Sequence, residues 1–271
     1  MGWPTESRIT ASLRSGLLLA AALLTAPVFA AQGTEAKPGA RAKPPISAKQ
    51  KSNPKQQQAA TAKKKGTAVA KKAAVEPKAG TLAEFGKVTA PPDVVHVANW
   101  VSYTRNNQKK AFVLIDKKQA RLYVFDPQGR LKSQAPVLLG KAVGDHSVPG
   151  IGNKPLSQIQ ESEKTTPAGR FLAMPGKNTS GDDIIWIDYD AAVSMHRLRK
   201  VAASERRAER MATADAGDNR ISNGCVNVPP SFYNGVLKPT VTKYGAFVYV
   251  LPETKTPQQL FGSFNVPATK G

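Results

Sequence analysis

The sequence predicts a mainly β domain with a few helices, preceded by a long basic segment without a core of its own. Three observations carry this. Short apolar runs recur from residue 111 onward, separated by gaps of a few residues that carry turn signals. A single run of helical period precedes them. Before that, Lys, Ala, Pro, Gln and Gly dominate, and Ile46, Val69 and Val75 are the only large apolar residues between 31 and 80.

The first thirty residues have the three parts of a secretory signal. Arg8 and Arg14 give a positive start, an apolar run follows from Gly16 to Ala26, and Val28-Phe29-Ala30 offers a cleavage point. A membrane-spanning helix needs about 20 apolar residues, and this stretch is shorter and holds Pro27. A signal peptide at 1–30 is therefore expected, with a periplasmic or cell-envelope destination. Residues 31–85 are expected to be a disordered linker, because so little apolar surface cannot offset the entropy of ordering the chain.

Charge divides unevenly. The chain carries a formal net charge of +20, and residues 31–90 hold 13 basic against 3 acidic side chains. Half of the basicity thus lies in the tether. Its expected partner is an extended anionic polymer of the envelope. Nucleic acid is not expected, since the export signal argues against it and aromatic–basic stacking patterns are missing from the sequence.

The domain is expected at 90–253, with a C-terminal tail at 254–271. Pro91-Pro92 opens a helix, because Pro is tolerated at the first helical position, and Val94, Val97, Ala98 and Val101 give it one apolar face. Residues 111–115 and 122–125 read as strands joined by turns. A third strand is expected through Ala135 to Gly140, completing an antiparallel meander. Further strands are expected at 170–174, 184–188, 193–196 and 246–251. Residues 144–167 form a long loop rich in Gly, Pro and Ser, with His146 near its start. A helix is expected near 204–213, capped by Ser204. Its surroundings carry Arg197, Arg206, Arg207, Arg210 and Arg220. Two readings fit this segment: a solvated surface helix, or a basic flap that binds substrate carboxylates.

One cysteine, Cys225, sits in Ile221-Ser222-Asn223-Gly224-Cys225-Val226-Asn227. A lone thiol in an exported chain has no intrachain partner. Three readings follow: an inert core residue, a link to another chain, or a nucleophile. Small and polar neighbours suit a reactive turn. Of the three histidines, His96 lies in the first helix, whereas His196 ends a strand-like run and precedes the cysteine. An imidazole beside a thiol favours the thiolate that acyl transfer uses. No His-x-x-His spacing exists and one cysteine makes no cluster, so neither a metal nor another cofactor is expected.

The meander, the Thr166-Pro167-Ala168-Gly169 turn, the strand ending in His196 and the Ser222-to-Asn227 segment together resemble the L,D-transpeptidase catalytic domain (YkuD type), from about Phe112 to Leu251. The resemblance implies a β-sandwich type domain with Cys225 as nucleophile and His196 as base. It also implies backbone N–H groups around Gly224 and Cys225 as the oxyanion hole, with Ser222, Asn223, Gly224 and Asn227 as motif positions. The implied donor is a peptidoglycan tetrapeptide stem. The implied products are 3–3 crosslinks or wall-attached proteins; an L,D-carboxypeptidase or other cysteine hydrolase, or a catalytically impaired wall-binding protein, are the alternatives. Two departures stand out. Asn223 occupies the place of the family's second histidine, and 25 residues separate His196 from Ser222, against roughly fifteen in the family.

Overall fold

Pro92 opens helix α1 (Pro92–Thr104) at its first turn, Asp93 follows it there, and Arg105 ends the helix in a left-handed conformation. This computed structural model describes residues 80–199 and 201–267. The expected signal peptide, almost all of the expected linker, Lys200 and residues 268–271 lie outside the described residues. The buried face of α1 is Val94, Val97, Ala98, Trp100 and Val101, so the sequence periodicity places the helix correctly.

Strands β1 (Ala111–Asp116), β2 (Arg121–Phe125) and β3 (Leu131–Pro136) form the antiparallel meander. The third strand differs from expectation: it starts at Leu131 and stops at Pro136. Pro136 has no N–H to continue the ladder beyond its pairing with Arg121. The chain then leaves the sheet and forms the short strand β4 (Leu139–Gly140). The loop 144–167 is not featureless. It winds through three short 3-10 turns, at Ile151–Asn153, Leu156–Gln158 and Glu161–Glu163.

The single strand expected at 170–174 is two, β5 (Gly169–Leu172) and β6 (Met174–Lys177). Buried Ala173 is the corner between them, donating its N–H to Ala246 O. There the chain passes from one sheet to the other. Strands β7 (Asp183–Asp188) and β8 (Val193–Arg197) follow as expected. Helix α2 is shorter than expected, Arg207–Ala212, behind a 3-10 turn at Ala203–Glu205. Ser204 does not cap it; Arg206 occupies that place with a left-handed backbone.

Strands β9 (Arg220–Ser222) and β10 (Val226–Val228) bracket the cysteine turn. Helices α3 (Pro230–Phe232) and α4 (Lys238–Tyr244) run together through a widened π turn at Tyr233–Leu237. Pro239 accounts for the widening, because its ring clashes with the carbonyl a turn earlier and supplies no N–H. Strand β11 (Ala246–Val250) and helix α5 (Pro257–Phe261) complete the described chain.

The larger sheet has the order β3-β2-β1-β11-β5, the second β10-β8-β7-β6, and β4 pairs with β9. The β1–β11, β8–β10 and β4–β9 pairs are parallel. Both faces of β1 are buried, which is why its sequence is continuously apolar rather than alternating. Phe112 and Leu114 meet Val97, Trp100 and Val101 of α1. Val113 and Ile115 meet Ile185, Met195, Val226 and Val228 of the second sheet. The domain is mainly β with a few helices.

Both of its edges lie outside 90–253. Phe85 packs edge-on against Phe125 at 5.4 Å, and Leu131 N–H donates to Glu84 O. At the other end a Thr256–Gln259 capping box starts α5, and Phe261 stacks on Trp100 at 6.4 Å. The described part of the expected tail is therefore packed on α1. Its few apolar residues are too widely spaced to give a readable period.

Candidate active site

Strands β8 and β10 run side by side with Met195 opposite Val226, His196 opposite Asn227 and Arg197 opposite Val228. Val193, Met195, Val226 and Val228 all point into the core. A strand alternates its side chains with period two, so Ser194, His196 and Asn227 share the other face. Cys225 precedes β10 at the same edge. Its Sγ lies 3.7 Å from Ser194 Oγ and 3.6 Å from Ala192 O.

His196 is buried, with Nδ1 2.7 Å from Arg197 O. A carbonyl only accepts, so Nδ1 carries the proton and Nε2 keeps its lone pair. Burial pulls the imidazole pKa down to about 4. The bond to Arg197 O opposes that fall, while the charges of Arg199 and Arg207 add to it. At neutral pH the ring is a neutral base. The imidazolium partner anticipated for a thiolate is thus disfavoured, because the cations nearby and the loss of water both penalise it.

Residues 222–225 form a tight turn. Ser222 Oγ donates to Cys225 O at 2.6 Å and accepts from Gly224 N–H at 3.1 Å. Gly224 has φ +122°, and a Cβ there would stand 2.8 Å from Thr165 O, so only glycine fits without displacement. Thr166 Oγ1 donates to Gly224 O at 2.8 Å. Of the two backbone donors expected at an oxyanion hole, Gly224 N–H is committed to Ser222. Cys225 N–H donates to no acceptor among the described residues.

Asn227 is fully buried; its Oδ1 accepts from Arg207 Nη1 at 3.1 Å. Asn223 is exposed. The arginines named from the sequence separate into different settings. Arg207 reaches the Cys225 face through Asn227 and also pairs with Glu205. Arg197 points to the opposite face, since alternation puts it with Met195. There its side chain pairs with Asp183 and lies 4.5 Å over the Tyr233 ring, so only its backbone carbonyl meets His196. Arg206 pairs with Glu209 at the surface, and Arg210 donates to Glu205 O and Asp218 O. Arg220 is held by Glu253 and by Lys117 O. His146 is exposed and contacts Lys255 at 3.3 Å, while His96, on α1, bonds Ser263 beyond α5.

Ser194 is not among the motif positions, and Thr166 stands there only as the start of the Thr166-Pro167-Ala168-Gly169 turn, with no role of its own. Counting back two residues from His196 along its strand finds Ser194; no local signal finds the bond from Thr166 to Gly224.

A β-rich domain that sets a half-buried thiol on one strand face with a neutral, buried imidazole is a scaffold suited to cysteine nucleophilic chemistry. No family model and no curated protein matches the chain. Among solved structures, it is similar to the catalytic domain of an L,D-transpeptidase from E. faecium, at 18% identity and TM-score 0.32, covering 53% of this chain and 98% of that one. It is also similar to an L,D-transpeptidase from Xylanimonas cellulosilytica, at 16% identity and TM-score 0.34, covering 52% and 60%. A third is the helical cell shape determining protein Pgp2 from Campylobacter jejuni, at 14% identity and TM-score 0.36, covering 54% and 49%. The chain spans only about half the length of that protein and of a longer E. faecium L,D-transpeptidase.

Proposed function

We propose that the chain is a cysteine acyltransferase of the cell envelope, an L,D-transpeptidase acylated by a peptidoglycan tetrapeptide stem. The observation that carries this reading is the shared face of Cys225 and His196, with the imidazole fixed in the tautomer that leaves Nε2 as a base. The Ser222-Asn223-Gly224-Cys225-Val226-Asn227 motif supports it.

His196 takes the thiol proton as Sγ attacks the carbonyl between the third stem residue and the terminal D-Ala. The tetrahedral oxyanion is stabilised by Cys225 N–H, a donor of a kind worth about 2.7–4 kcal/mol. On collapse, the C–N bond breaks, His196 returns the proton to the leaving D-Ala amine, and a thioester remains. An amine of a second stem then attacks the thioester, giving a 3–3 crosslink and restoring the thiol. A protein lysine in its place attaches that protein to the wall. Export by residues 1–30 and attraction of the basic segment 31–85 to anionic envelope polymer place the domain beside this substrate.

The test is mass analysis of muropeptides after incubation with the purified chain and with Cys225→Ala. Tetrapeptide donors should lose D-Ala and appear in crosslinked dimers with the first protein only. Free tripeptides without dimers mean a carboxypeptidase. D-Ala release by Cys225→Ala, or no turnover and no thioester with the unaltered chain, defeats the acyltransferase reading.

A further inference from the structure

The cysteine turn is gripped from below by a side chain that no mechanism of thiol and imidazole requires. Thr166 is fully buried. Its Oγ1 accepts from Gly140 N–H at 2.8 Å and donates to Gly224 O at 2.8 Å. Both neighbours are glycines for a steric reason. A Cβ on Gly140 would lie 2.7 Å from Thr166 N, and one on Gly224 would lie 2.8 Å from Thr165 O. The segment bearing Thr166 is thus wedged between β4 and the turn, close enough for one hydroxyl to bridge them.

The wedge is itself anchored. Lys117 is fully buried and donates to Thr166 O at 3.1 Å. Asp145 and Glu253 flank the same ammonium, each at 3.1 Å. Asp145 is buried too, which raises its pKa, yet bonds from the Thr254 hydroxyl, the Glu253 and Thr254 N–H groups and Lys117 hold it well below the usual carboxylate range. The strut therefore ends in paired charges rather than in solvent.

A trans peptide is planar, and its C=O and N–H point in opposite directions. The carbonyl that Thr166 holds belongs to the peptide joining Gly224 to Cys225. Fixing that carbonyl fixes the direction of Cys225 N–H, the oxyanion donor left uncommitted by the turn. Donation to the carbonyl also polarises the amide and strengthens its N–H as a donor.

We propose that Thr166, anchored by Lys117, is a positioning residue that aims the Cys225 N–H at the oxyanion formed during acyl transfer. This rests on the acyl-transfer reading of Cys225. It assigns Thr166 no contact with substrate and no part in proton transfer.

The test compares Thr166→Val, which keeps the shape and removes the hydroxyl, with Thr166→Ser, which keeps the hydroxyl. Two probes separate positioning from general damage. p-Nitrophenyl acetate acylates the thiol through an oxyanion, whereas iodoacetamide alkylates it by displacement without one. Thr166→Val should slow acylation about 10- to 100-fold and leave alkylation within about two-fold, since only the first builds charge on oxygen. Thr166→Ser should behave as the unaltered chain with both probes. The amide proton resonance of Cys225 gives a readout free of turnover: it should move upfield in Thr166→Val and stay in place in Thr166→Ser. Equal slowing of both probes, unaltered acylation in Thr166→Val, or equal loss in both variants overturns the inference. If the unaltered chain is alkylated but never acylated, the acyl-transfer reading fails. The amide resonance then decides the positioning inference alone, and an unmoved signal in Thr166→Val overturns it.

Discussion

Arg207 donates from Nη1 to Oδ1 of Asn227 across 3.1 Å, and Asn227 is the residue that β10 sets opposite His196. The segment between β8 and β9 thus returns a cation to the edge of the thiol face. Arg207 is largely buried and shared with Glu205, so water screens its field less than that of a surface arginine.

The first expectation concerns the pH at which the base switches off. With the imidazole pKa near 4, the acid limb of thiol acylation should lie near pH 4, well below that of a free histidine. Arg207 opposes protonation, so Arg207→Gln should move the limb to higher pH. Arg206→Gln should not, because Arg206 is exposed and pairs with Glu209. A pH–rate profile of covalent capture checks this, and identical profiles for the two variants would refute the field argument.

Loss of the base should be selective. His196→Ala should slow acylation by about two to four orders of magnitude, the usual worth of general base catalysis. His146→Ala should change it little, since that imidazole is exposed and meets Lys255. Stopped-flow capture of a carbapenem compares them directly; a larger loss at His146 would move the base to the long loop.

Stability should depend on acid through the same imidazole. The folded value near 4 lies below the ordinary 6.5, so between these limits the unfolded chain binds a proton that the fold does not. The contribution is whole above pH 6.5, falls as pH drops towards 4, and levels off below it. Its full size is on the order of 3 kcal/mol. Urea titrations from pH 7 to pH 4 should show a shallower decline for His196→Gln, and parallel declines would contradict the assignment.

Gly224→Ala should damage both fold and chemistry. The positive φ and the 2.8 Å approach to Thr165 O leave no room for a methyl group. Backbone strain of this kind costs about 1–3 kcal/mol. Denaturation midpoints and carbapenem capture should both fall; a variant equal to the unaltered chain in both would show that the turn yields easily.

The basic segment offers a separate test. Removing residues 31–80 should leave turnover of a soluble stem peptide nearly unchanged while weakening binding to intact sacculi at low salt. The deficit should shrink as salt is raised, because screening already weakens the longer chain. Equal sacculus binding at low salt would end the tether reading.

Apolar runs with clear turns, such as those of β1 and β2, were legible because burial dictates their composition. Strands β4, β9 and β10 were not, since two or three residues carry no period. Nor were the parallel pairings, which depend on partners far apart in the chain. The candidate site divides the same way. Cys225 and His196 stand out by residue type and setting. Ser194 meets the sulfur across 31 positions, and Thr166 meets Gly224 across 58, so neither contact has a local signature.

The parallel pairing of β1 with β11 also governs how the molecule must be assembled. β11 joins β1 to β5, yet among the described residues it is the last strand to be made. Until it arrives, both of those strands offer bare backbone edges to any passing chain. Closure over so long a separation is slow. Ala246-Phe247-Val248-Tyr249-Val250, apolar throughout and uncharged, is itself a segment prone to stack with copies of itself while it waits. A chain cut short before residue 246 is therefore a template for aggregation, its larger sheet unable to close.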